Sequence, residues 1–173
     1  MRRAGLTAVA SVALAVSGCG YHVAANADLL PKNIKTIAVP AFGNATTRYT
    51  LARRLPEDIT REFLSRTRYA VVSDPAKADA VVTGAILNAF AYPTTADPVS
   101  GRATGIQAIV TLSLNLVDRA TGKVIWTRPS AEFRERYELA IDPAQYFDES
   151  STAMIRLSRD VARSVVSEVL EQF

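Results

Sequence analysis

One cysteine, one histidine and one tryptophan occur in 173 residues, and each shortage closes a line of chemistry. A single cysteine forms no disulfide within the chain, so the core alone must hold the fold. One thiol and one imidazole do not make the Cys/His set that a transition metal requires. The histidine, His22, stands three residues from Cys19, close to the chain's start, which is a poor place for a general base. Charge of one sign is scarce as well. Twenty basic residues face 17 acidic ones, a net +3, with no basic tail of the kind that holds nucleic acid. Gly101 and Gly105 make no phosphate loop, because no glycine-rich turn leads into a helix there. Internal repeats and low-complexity tracts are missing. The expectation is a protein with no catalytic residues, no metal site, no cofactor and no nucleic-acid partner.

The apolar stretch Leu6 to Val16 falls well short of the roughly 20 residues of a membrane-spanning helix. Behind the positive Arg2 and Arg3, it has the form of a secretion signal. Small residues then run directly into the cysteine, and Val16-Ser17-Gly18-Cys19 resembles the lipobox of bacterial lipoproteins. That resemblance implies a signal peptide over 1–18. It also implies a diacylglycerated Cys19 sulfur, cleavage of the preceding peptide bond and acylation of the new amino group. Gly20 follows, where an aspartate would mark inner-membrane retention, so the resemblance implies the outer membrane, with the folded part facing the periplasm. Three acyl chains exceed the two signals that stable anchoring takes. Loss of Arg2 and Arg3 leaves 18 basic against 17 acidic residues in a mature chain of 155, a net +1. That length suits one domain with an ordinary core. The organisation expected is a lipidated tether over 19–32 and a single α+β periplasmic domain over 33–173.

Along that domain, Ile34 to Val39 alternates and stops at Pro40, a first strand. Gly43 to Thr47 has turn chemistry. From about Thr50, Leu51, Leu55, Ile59 and Phe63 recur every four residues as a helical stripe, with Pro56 inside it as a kink or a restart. Arg53/Glu57, Arg54/Asp58, Glu57/Arg61 and Glu62/Arg66 make i,i+4 pairs assigned to the other face. Tyr69 to Val72 is a short strand, and Ala80 to Tyr92 a longer one with Val82, Gly84 and Ile86 on one face. Pro93 to Thr104 is polar and reads as a long loop. Ile106, Ala108, Val110, Leu112, Leu114 and Leu116 then alternate with polar residues, the pattern of a half-buried antiparallel strand. Asp118 to Gly122 is a hairpin turn with Gly122 free to take positive φ. A return strand starts at Val124, breaks or bends at Pro129, and resumes through Phe133, Tyr137 and Leu139. A helix over about Ser150 to Glu171 places Met154, Leu157, Val161, Val165 and Val169 on one face. Asp148 and Glu149 suit its N-terminus, while Glu168 and Glu171 sit against the dipole. The fold class expected is a two-layer α+β sandwich: one mostly antiparallel sheet of four to five strands with two helices on one face.

Four stretches carry a closer likeness: Gly18-Cys19-Gly20-Tyr21-His22, Thr36 to Pro40 with Phe42 and Asn44, Ala78-Asp79-Ala80-Val81-Val82-Thr83-Gly84, and Asp118 to Trp126. Together they resemble the lipopolysaccharide-assembly lipoproteins, the LptE family. The strand-helix-strand opening and the segment 78–84 are also similar to lipoproteins of the curli-secretion and penicillin-binding-protein-activator group, which gate or activate other envelope machines. The first resemblance implies a plug seated in an outer-membrane β-barrel translocon (LptD-like), binding lipopolysaccharide on its way to the outer leaflet. Phosphates of that ligand suit bidentate arginine. Arg102, Arg128, Arg134 and Arg136 are the candidate ligand-binding residues. Asn44, Thr95, Arg102 and Thr121, in the loops, are the candidate contacts with the barrel. Trp126 and Phe133 read as core, and Tyr92 as either core or contact surface.

Overall fold

The structure, a computed structural model, describes residues 30–139 and 149–172. Cys19, the signal 1–18, most of the 19–32 tether and Asp148 lie outside the described residues. In chain order the elements are β1 (Thr36–Ala38), β2 (Gly43–Asn44), α1 (Tyr49–Arg66), β3 (Ala70–Val72), a short 3-10 turn (Pro75–Lys77), β4 (Ala80–Ala96), β5 (Ala103–Asp118), β6 (Val124–Glu138) and α2 (Ser150–Glu171). The strands form one sheet in the order β3-β1-β4-β5-β6, with β2 pairing β4 off that path. The three long strands are antiparallel; β1, β2 and β3 join in parallel. The mixture follows from the connections, since a helical crossover returns the chain parallel and a tight turn reverses it.

Both helices lie on one face, as a two-layer α+β sandwich requires. Leu51, Leu55, Ile59 and Phe63 of α1, Leu112, Leu114 and Leu116 of β5, and Leu157, Val161, Val165 and Val169 of α2 share one buried cluster. None of these eleven is more than 2% exposed. Trp126 is buried among them, and Phe133 packs against their margin. Pro56 does not restart the helix: α1 runs through it as one element with Pro56 itself buried. Apolar contacts on both sides of the missing rung fasten the helix to the sheet.

Several boundaries move. The loop expected over Gly43 to Thr47 contains β2, whose Gly43 and Asn44 pair with Ala85 and Ile86. Its turn chemistry survives just beyond, where Thr46 N and Oγ1 donate to Asn44 Oδ1 at 2.9 and 2.8 Å. The loop expected over Pro93 to Thr104 is half strand, because β4 continues to Ala96 and β5 begins at Ala103. Pro93 is tolerated there because β4 has left β1 and β2 behind by that point and pairs only with β5, and an edge strand can lack an outward donor. Pro129 does not end β6 either. It falls in the irregularity between the pairs Leu112/Ala131 and Leu114/Arg128.

Asp58 was expected on the open face of α1 and is instead 4% exposed. Its Oδ2 accepts a 2.6 Å hydrogen bond from the Ser158 hydroxyl of α2, and Arg54 and Arg61 flank it. Burial alone would raise this carboxyl. The hydrogen bonds from Ser158 and Arg61, with the charges of Arg61 and Arg54, outweigh it and hold the group below its ordinary value. Glu168, set against the α2 dipole, is offset by a 3.0 Å ion pair with Arg128 of β6. Gly84 marks a close approach, since a Cβ there would lie 2.8 Å from Phe42 Cε2 and 2.9 Å from Leu114 Cδ2.

Candidate functional site

The sheet face turned away from the helices owes its character to one extra residue. Strict alternation from Val82, Gly84 and Ile86 would carry Phe90 and Tyr92 into the core. Instead the register shifts between Ile86 and Asn88, and this bulge at Leu87 reverses which side chains point inward. Ala89 then packs against the core, and Phe90 and Tyr92 move to the open face, 46% and 41% exposed. Their rings stack with centroids 6.3 Å apart, within the range of a favourable offset pair. Leu87 beside them is 46% exposed.

Arginines stand across the sheet from this pair. Phe90 is opposite Ile109, which is opposite Arg134. Tyr92 is opposite Gln107, which is opposite Arg136. Glu132, Arg134, Arg136 and Glu138 therefore line one face of β6, whereas Glu135 lies on the helix side and pairs with Arg156 of α2 at 2.6 Å. Arg134 is held by Glu132 at 2.6 Å. That hydrogen bond, then the Glu132 charge, raises its pKa, with Tyr92 a smaller contributor. Gly105 makes room for the Thr95 hydroxyl, which a Cβ there would meet, and the Arg136 guanidinium lies in ordinary contact range of the same point at 3.5 Å. The result is an apolar aromatic strip two strands from a pair of cations. That arrangement fits an amphiphile carrying phosphates.

Of the residues singled out from sequence, Arg134 and Arg136 come together here, with Thr95 close to Arg136. Arg102 is exposed at the far end of the β4–β5 hairpin, where its carbonyl accepts from Asp97 N at 2.8 Å. Asp97 holds that turn through Ser100 N and Oγ at 2.6 and 2.7 Å and Val99 N at 3.2 Å, and Gly101 adopts φ 69°. Arg128 lies on the helix side, occupied by Glu168. Asn44 sits in β2. Thr121 belongs to the β5–β6 turn at the opposite end of the sheet, donating its N–H to Asp118 Oδ1 at 3.1 Å. Gly122 in that turn has φ 69°, the left-handed region expected of it. Phe90 was not singled out from sequence. Only its spacing of two from Tyr92 signalled a shared face.

Comparison with known proteins agrees with this architecture. Solved structures with the same fold include the uncharacterized lipoprotein B from Nitrosomonas europaea, with a TM-score of 0.56, 15% identity and coverage of 81% of this chain and 83% of that one. A protein from Xanthomonas campestris superposes with a TM-score of 0.55 at 14% identity, covering 85% and 90% of the two chains. A hypothetical protein from Chlamydia trachomatis gives a TM-score of 0.50 at 12% identity, covering 79% and 96%. At these identities the likeness is one of fold. No curated protein matches the chain. The family model described as LptE, lipopolysaccharide-assembly, matches residues 34–169, from the start of the domain into the last turns of α2, and the chain belongs to that family.

Proposed function

We propose that this protein is an outer-membrane lipoprotein, acylated at Cys19, that plugs the lipopolysaccharide-translocating β-barrel and binds lipopolysaccharide as it passes to the outer leaflet. The observation that carries the ligand half of this reading is the open sheet face, where Phe90, Tyr92 and Leu87 lie across from Arg134 and Arg136. Lipopolysaccharide joins acyl chains to phosphates, and this face offers an apolar strip beside Arg136 and the Glu132-paired Arg134. The role is one of binding and positioning, with no catalytic step. The barrel half rests on family membership and on shape. A compact two-layer domain of nearly balanced charge can sit in a polar lumen without exposing a large apolar patch. Its hairpin end, with Thr95 and Arg102, then meets the barrel wall, as do Asn44 and Thr121.

Two measurements test the reading. Arg134→Glu with Arg136→Glu is expected to weaken lipopolysaccharide binding, and added salt to weaken the wild type, because exposed charge is screened beyond about 8 Å at physiological ionic strength. Equal binding by both proteins across a salt series would remove the two arginines from the site. Photo-crosslinkers at Thr95, Arg102 and Thr121 are expected to trap the barrel protein in cells. Capture of a secretion pore or a peptidoglycan synthase would instead favour a protein that gates another envelope machine.

A further inference from the structure

The opposite end of the sheet from the β4–β5 hairpin carries a separate feature. There the chain enters at Leu30, and the N-terminal ends of β1, β3, β4 and β6 meet the C-terminal end of β5. A concavity of about 400 Å3 opens among Leu30, Lys32, Ile34, Lys35, Arg68 and Tyr69. Its floor is apolar: Leu30, Ile34 and Tyr69 are 4%, 3% and 5% exposed, and Leu30 N donates to the Tyr69 hydroxyl at 2.9 Å. Its rim is basic. Lys32, Lys35 and Arg68 are all exposed, and among the described residues no carboxylate lines the concavity.

Among the described residues, Asp79 and Asp118 at this end are engaged by backbone N–H groups and by the side chains of Thr36 and Asn33. Asp79 Oδ2 accepts from Lys35 N, Thr36 N and Thr36 Oγ1, each at 2.9 Å. Asp118 Oδ1 accepts from Ala120 N and Thr121 N at 2.9 and 3.1 Å, and its Oδ2 from Asn33 Nδ2 at 3.2 Å. Two more exposed cations, Arg119 and Lys123, stand in the adjoining turn. Arg119 N donates to the Asp79 carbonyl at 2.9 Å, which ties that turn to the same end. The last residue before this end that bears on a membrane is Cys19, 11 positions before Leu30. Even fully extended, that stretch spans at most roughly 40 Å.

We propose that this end is a docking surface for the anionic phospholipid headgroups of the leaflet that holds the Cys19 anchor. Lys32, Lys35 and Arg68 grip a headgroup phosphate, and the apolar floor takes the adjoining glycerol carbons. Charge complementarity and the short reach to Cys19 argue for this occupant, since basic residues close to a lipid anchor are drawn to an anionic surface. A domain so docked has a set orientation, with the β4–β5 hairpin at the end farthest from the headgroups. The inference rests on the proposed acylation for the identity of the leaflet. It does not rest on the ligand or barrel assignment.

The acylated mature protein, reconstituted in vesicles of phosphatidylcholine alone or with added phosphatidylglycerol, provides the test. Acylation blocks the Cys19 sulfur, so a cysteine introduced as Ala70→Cys on exposed β3, or as Val99→Cys on the far hairpin, takes a fluorophore alone. Quenching by a lipid with a nitroxide on its headgroup reports proximity. The Ala70→Cys label is expected to be quenched more in the phosphatidylglycerol vesicles, and the Val99→Cys label equally in both. Salt should abolish the difference, as should Lys32→Gln with Lys35→Gln and Arg68→Gln, a surface change to be checked by an unaltered melting curve. Equal quenching of the Ala70→Cys label in both vesicles would overturn the proposal. So would a response only to vesicles doped with lipopolysaccharide, which would give these cations to the cargo. If Cys19 itself takes the fluorophore, the anchor reading fails. The headgroup site then stands if the protein floats with phosphatidylglycerol vesicles and not with phosphatidylcholine alone, and falls otherwise.

Discussion

Gly84 and Leu114 meet Phe42 at one point of the core, and each has its own consequence there. Leu114 is fully buried, so Leu114→Ala is expected to cost about 2–5 kcal/mol in denaturant unfolding, the usual price of a leucine cavity. Gly84→Ala acts in the opposite sense by overfilling. Its new methyl would press on Phe42 and Leu114, and a loss of about 1–3 kcal/mol is expected from such crowding. The double change Gly84→Ala with Leu114→Ala is the sharper measurement. The two substitutions share one space, so their costs should sum to less than the separate values.

Among the elements, α1 and α2 are joined by a buried polar contact, Ser158 to Asp58, besides the exposed hydrogen bond from Arg66 to Ser167 at 2.7 Å. Ser158→Ala removes the hydrogen bond to Asp58 and leaves a buried carboxylate with fewer donors. A loss of about 1.5–3 kcal/mol is expected, since the acceptor is charged. Four carboxyls, those of Asp58, Asp79, Asp97 and Asp118, have folded pKa values below the ordinary 3.8. Hydrogen bonds from Lys35 N and Thr36 lower Asp79, and Thr121 N leads the donors to Asp118. In each case the folded state binds fewer protons than the unfolded one, so stability rises with pH through this range. Their contribution is complete above about 4 and is lost as pH falls toward the depressed folded values. Acid titration of the melting temperature is expected to show a steep fall below pH of about 4, and Asp79→Asn to flatten it.

At the scale of the whole molecule, the two proposed functional surfaces lie apart. The aromatic and arginine face occupies the β4–β5–β6 sheet, and the basic concavity occupies the end where the chain enters. On the proposed reading, a protein held at one end keeps its open face free for an amphiphile bound for the outer leaflet. Depletion of the protein is expected to lower surface lipopolysaccharide and to raise sensitivity to large hydrophobic antibiotics. Complementation by Arg134→Glu with Arg136→Glu should restore less surface lipopolysaccharide than the wild type does. Full rescue by that variant would separate the sheet face from the cell's need for the protein.

How much of this was legible without coordinates differs from element to element. The α2 stripe from Met154 to Val169 and the even-numbered face of β5 from Ile106 to Leu116 were visible because each repeats its period over several turns or residue pairs, and that repetition determined the two-layer fold and the core face. That β1 and β3 run parallel follows from the crossover through α1, though no periodicity in either strand states it. Three things were decided only in three dimensions. Asp58 pairs with a serine 100 positions away, a contact that i,i+4 spacing within one helix cannot register. β2 is two residues long, too short for any period to show, and exists because β4 offers it an edge. The bulge at Leu87 is a matter of pairing between strands and leaves no mark in β4 alone, yet it turns Phe90 and Tyr92 outward. Local periodicity therefore determined the scaffold, while the register between strands determined the surface on which the proposed function depends.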